Sequence, residues 1–185
     1  MDCSLLISKL AEKSALDYLM TFSTLCVAII VAGITWGQYM VNARKLRLDL
    51  YNRRFEIYSK SLNYYQKVLF IPNHPKDDAT AEENAAAQGA WDQFNVLQKE
   101  FIKAFRESQF LFSAKSGVYK LLEEMDTRSF RMIQWKDVVS KAFHPSSSEW
   151  QAGQKQDRED SAWVNGFIPK LETAMADYLD FRNIK

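Results

Sequence analysis

Along most of this chain apolar residues recur every third or fourth position, separated by charged ones, but one stretch departs from that pattern. Tyr18 to Ala43 contains no Asp, Glu, Lys, Arg or His. Its centre, Thr21 to Trp36, carries Leu25, Val27, Ala28, Ile29, Ile30, Val31, Ala32 and Ile34. A bilayer core of about 30 Å needs about 20 apolar residues at a helical rise of about 1.5 Å. Inside lipid a lone segment must satisfy its own backbone, so it must be helical. The pattern therefore predicts a transmembrane helix over 18–43, preceded by a short segment, 1–17, in which Leu5, Leu6, Leu10 and Ala11 share one helical face. A cleaved signal peptide fits poorly, because the apolar run is long, acidic residues precede it and no A-x-A site follows.

After the apolar run the periodic pattern resumes. Leu48, Tyr51, Phe55, Tyr58, Leu62, Tyr65 and Leu69 alternate by three and four, a heptad seam that predicts a first helix over about 44–70, continuous with the anchor. Rings this large suit a several-helix bundle better than a two-stranded coil. Pro72, Asn73 and Pro75 predict a loop, and Thr80 with Glu83 forms a candidate capping box. Ala87, Ala90, Phe94, Leu97, Phe101 and Phe105 predict a second helix over about 81–109. With Ser113 as candidate cap, Val118, Leu122, Met125, Met132, Val139 and Phe143 predict a third helix over about 114–143. The Ser- and Gln-rich run from Ser146 to Gln156 reads as a connection. Val164, Ile168, Leu171, Met175 and Tyr178 predict a fourth helix over about 158–181, in which Pro169 either makes a kink or starts the regular part after a looser turn. The expected fold is all-α: one N-terminal transmembrane helix continuing into a four-helix cytosolic bundle over 44–185.

Two stretches carry a resemblance. The run from Lys45 to Tyr58 (KLRLDLYNRRFEIY), placed directly after an anchor, resembles the start of an uncharacterised family of small single-pass bacterial membrane proteins with a cytosolic helical domain. The run from Phe110 to Leu122 (FLFSAKSGVYKLL) is similar to that family's interhelical corner. The resemblance implies a bacterial inner-membrane location and a helical domain. It implies no activity and no catalytic residues.

Charge adds an orientation. Arg44, Lys45, Arg47, Arg53 and Arg54 follow the anchor, with Asp49 the only acid before Glu56. On the other side Lys9 and Lys13 are offset by Asp2, Glu12 and Asp17. Basic flanks stay in the cytoplasm, so the N-terminus is expected outside and the large C-terminal part inside. The same basic cluster is a candidate contact for anionic headgroups. Within the anchor, Gly33 and Gly37 form a G-x-x-x-G, and Ala28 and Ala32 repeat the spacing. Small residues four apart let helix backbones approach, which makes these candidates for homodimerisation or for association with another membrane protein.

Composition narrows the chemistry. The net charge of +1 gives no field for nucleic acid, and the basic cluster is held at the membrane surface. Only Cys3 and Cys26 occur, too few for a disulfide framework. His74 has Asp77 and Asp78 beside it, but in a proline-broken turn. There is no H-E-x-x-H, no E-x-x-H pair, no phosphate loop and no nucleophile elbow, so no catalytic constellation, metal site or cofactor is expected. The acids between Asp157 and Asp160 read as a solvated face or a helix start. The function these features imply is a non-enzymatic, membrane-tethered interaction or sensing module. The alternative is a self-assembling membrane effector, toxin-like or antiphage, associating through its anchor. Against the effector, Thr21, Ser23, Thr24 and Thr35 are the anchor's only aliphatic hydroxyls, too few to line a pore.

Overall fold

The computed structural model describes the backbone of residues 3–72, 80–139 and 144–180, with side chains from residue 17 onward except those of 138–139. The fold is all-α. Helix α1 spans Cys3–Leu69. Helix α2 spans Ala81–Leu111, and a short 3-10 turn, Ala114–Ser116, leads to α3, Val118–Gln134. A π-helical turn, Trp135–Val139, extends α3. Helices α4, Ser148–Asn165, and α5, Phe167–Leu179, complete the described elements. The chain divides into two units, Met1–Arg47 and Leu48–Lys185.

In the first unit α1 is apolar and uncovered. None of its apolar window is buried, and Phe22, Ile29, Ile30, Ile34 and Val41 are all more than half exposed. Water would not tolerate such a surface on a monomer, whereas lipid would. Its hydroxyls need no water either. Thr21, Thr24 and Thr35 donate to the carbonyls of Asp17, Met20 and Val31, and Ser23 donates to that of Met20, each at 2.8 Å. This internal pairing is what an apolar solvent demands. Tyr39 sits beside Trp36, ring centroids 6.1 Å apart, an aromatic pair of the kind found at a membrane interface.

The second unit is a helical bundle whose core is mostly aromatic and aliphatic. Tyr64 is fully buried and stacks on Phe101 at 4.5 Å, with Phe94 at 5.9 Å. Helix α3 makes the close backbone approaches, to α2, α4 and α5. It turns Val118, Leu122, Met125, Ser129 and Met132 into the core. Helix α1 presents Ile57, Ser61, Tyr64 and Val68, a stripe rotated from the heptad seam expected at Tyr58, Leu62, Tyr65 and Leu69, whose members are half-buried. Leu48 and Phe55, expected in the same seam, stay about half exposed. The rotation has a physical cause. It seats the Tyr64 ring between α2 aromatics and lets its hydroxyl donate to Ser129 Oγ at 2.9 Å. Ser61 enters the core because its hydroxyl is satisfied by the Ile57 carbonyl.

Three boundaries depart from expectation. Ser113 makes no side-chain cap bond. The chain instead makes a 3-10 turn and passes through Gly117 at φ 73°, a left-handed position, before α3 begins. The polar run from Ser148 to Gln156 is helical, because Ser147 caps it by accepting from the Trp150 N–H at 3.2 Å. The single helix expected over 158–181 is two helices: the break falls at Gly166, and the second helix starts two residues before Pro169, with no kink at the proline. Pro169 lies in the first turn of α5, where its missing N–H has no intrahelical partner to lose. The capping box at Thr80 forms, with Glu83 N–H on the Thr80 hydroxyl and the Glu83 carboxylate on the Thr80 N–H.

Candidate functional site

Among the sequence-derived candidates, Gly33 and Gly37 lie on an open face of α1, with no atom within 4 Å of where a Cβ would stand. Ala28 and Ala32 are exposed on the same helix. Arg44, Lys45, Arg47 and Arg53 are exposed, but Arg54 is not part of a common patch with them. It turns into the bundle, donates from Nε to the Leu111 carbonyl at 3.0 Å and lies 4.8 Å over the Tyr178 ring. Tyr178 in turn meets Ser113, hydroxyl to hydroxyl at 2.8 Å. Arg54 therefore clasps the corner after α2 against the end of α5. His74, Asp77 and Asp78 lie outside the described residues. No group of His, Cys, Asp or Glu among the described residues is placed to hold a metal.

The polar centre of the molecule lies where the sequence suggested a solvated face or a helix start. Asp160 of α4 is fully buried. Arg131 grips it with two hydrogen bonds, Nε to Oδ2 at 2.8 Å and Nη2 to Oδ1 at 2.7 Å. Arg128 Nη1 adds a third at 2.9 Å and Gln156 a fourth at 3.3 Å. Arg128 is held from its other side by Glu124 at 2.6 Å and lies 4.9 Å over the Trp163 ring. Burial works to raise the Asp160 carboxyl, but the hydrogen bond and charge of Arg131, with Arg128 behind, hold it below the usual carboxylate range. The Asp160 hydrogen bond in turn pushes Arg131 up. The sequence carries only a hint of this, Arg128 and Arg131 three apart on one helix, and nothing in it says that they meet Asp160 on another.

Beside this node opens a cavity of about 320 Å³, within the size range of small-molecule sites. Val68 and Leu69 line it from the end of α1, Ile71 from the chain just beyond, and Met132 from α3. Trp135 and Lys136 enter from the π-turn, and Asp157 and Ser161 from α4. The wider π geometry, frequent at functional sites, places these two side chains beyond the regular end of α3. Trp135 packs edge-on against Trp150 at 5.6 Å. Lys136 donates to the Ile71 carbonyl, and burial pushes its ammonium down. Asp157 is half-buried, and burial first, then the charge of Asp160, push it up against the opposing pull of Lys136.

No protein-family model matches the chain, and no curated protein or solved structure is significantly similar to it. The architecture, one long apolar helix followed by a compact helical domain, is that of a small single-pass protein, and it points to no specific family.

Proposed function

We propose that this chain is a non-enzymatic, membrane-tethered interaction or sensing module: one spanning helix, 18–43, holding a cytoplasmic four-helix bundle, with α4 and α5 together as its fourth member, at a bacterial inner membrane. The observation that carries the reading is the uncovered apolar length of α1, beside a domain whose strongest polar cluster is spent on structure. Asp160 is saturated by two arginines and an amide, which leaves it no capacity for acid–base work. The orientation rests on Arg44, Lys45, Arg47 and Arg53 at the C-terminal flank.

The test is the native mass and subunit content of the full-length protein extracted in mild detergent from its own host. A second polypeptide at fixed stoichiometry is the expected result. A homo-oligomer that is lost on Gly37→Leu would contradict it and favour a self-assembling membrane effector, since Gly37 stands on an open face.

A further inference from the structure

We infer that the cavity between the end of α1, the π-turn and α4 binds a small molecule with an apolar body and a protonated amine. This deepens the sensing reading, and rests on it, by naming the class of molecule sensed. Asp157 carries the inference. It lines the cavity, is half-buried, and accepts no hydrogen bond from the described residues. A carboxylate partly withdrawn from water and given no protein donor has acceptor capacity left, and a ligand that brings a charged donor gains a charge-assisted hydrogen bond there. The neighbouring acid is no competitor, because Asp160 is already saturated by Arg128, Arg131 and Gln156.

Charge decides which donor suits the place. An ammonium brings a full positive charge to a carboxylate that burial and Asp160 already keep short of compensation. Lys136 lines the same cavity, but its ammonium is directed at the Ile71 carbonyl, and its pull on Asp157 is the weakest of the three influences. Ser161, one turn beyond Asp157 on α4, offers a hydroxyl acceptor on the same wall. Trp135 also lines the cavity, and an indole ring favours a cation over a neutral donor. Val68, Leu69 and Met132 supply the apolar floor for the body of the molecule. An anion would meet Asp157 unfavourably, and a purely apolar ligand would leave the carboxylate as it is.

Benzylamine is a suitable probe, with benzyl alcohol as its uncharged match. Full-length protein in lipid nanodiscs is titrated calorimetrically with each, against empty nanodiscs. The expected result is saturable benzylamine binding, with benzyl alcohol weaker by about tenfold or more, the worth of one charge-assisted hydrogen bond. Asp157→Asn is expected to lose the same factor while keeping its helical circular dichroism, and Ser161→Leu to block binding by filling the cavity. Absence of saturable binding overturns the inference. So does equal binding of amine and alcohol, or binding unchanged in both variants. The membrane reading fails separately, by recovery of the protein in the soluble fraction. In that case the titration is run in buffer with the same outcomes.

Discussion

Asp157 and Asp160 sit one turn apart on α4 and are held in opposite ways. Asp160 is charged, buried and paired, and its folded pKa lies below the ordinary 3.8. Its contribution is therefore fully present above that value and lost as pH falls below it. Asp157 is pushed above 3.8 by burial, so its charge costs stability, and the cost appears as pH rises through its folded pKa. At pH 7, Asp160→Asn is expected to lower the unfolding free energy by about 2–3 kcal/mol, toward the low end for a broken buried pair because the arginines are partly exposed. Asp157→Asn is expected to leave stability unchanged or raise it. Denaturant titrations at pH 7 and below pH 3.8 check both, since each difference should shrink at the acid end. Equal losses for the two variants at pH 7 would contradict the assignment. Tyr64 shows a buried phenol of the same kind, pushed up to about 12 by burial and kept neutral by its place in the core. Neither acid's role was legible in the sequence. Pairing Arg128 and Arg131 with Asp160 requires knowing which faces of α3 and α4 meet.

Among the elements, the stripes that are apolar were the legible ones. Val118, Leu122, Met125 and Met132 are spaced as a helix face and are buried as one. The inner stripe of α4 runs Trp150, Asp157, Asp160, Val164, and its polar middle hid the first part of the helix, Ser148 to Asp157. The break between α4 and α5 was misplaced for another reason. Proline is a visible interruption, but in a first turn it costs nothing, whereas Gly166 ends a helix with no visible hydrophobic cue. Glycine chemistry separates the two corners. Gly117 has φ 73°, so Gly117→Ala is expected to cost about 1–2 kcal/mol. Gly166 has φ −91°, and a Cβ there meets only the Trp163 carbonyl at 3.6 Å and Lys170 Cε at 4.0 Å. Gly166→Ala should stay within about 0.5 kcal/mol of the native protein. At the start of α2, Thr80→Ala should cost about 1 kcal/mol by removing the hydroxyl that accepts from the Glu83 N–H, while the bond from the residue-80 N–H to the Glu83 carboxylate remains. Thermal or urea unfolding of the three variants side by side ranks them, and a Gly166 cost above that of Gly117 would contradict the turn geometry.

For the molecule as a whole, the long apolar helix was the most legible feature because its signal needs no partner. An uncharged run of apolar residues specifies its own solvent, whereas a bundle core specifies itself only once its helices are placed. A charge in the middle of the run is the sharpest perturbation. Ile30→Arg replaces a residue favourable by about 0.5 kcal/mol with one unfavourable by about 3 kcal/mol at a helix centre. It is expected to shift much of the protein out of the membrane fraction, while Val41→Arg, near the flank, is expected to be tolerated. The measurement that tests the central claim most directly is alkaline carbonate extraction of membranes carrying the full-length native protein. Retention in the membrane pellet is the expected result, because an uncovered helix over 18–43 has no stable place in water. Release into the supernatant would mean that this face is covered by protein instead, and would contradict the account.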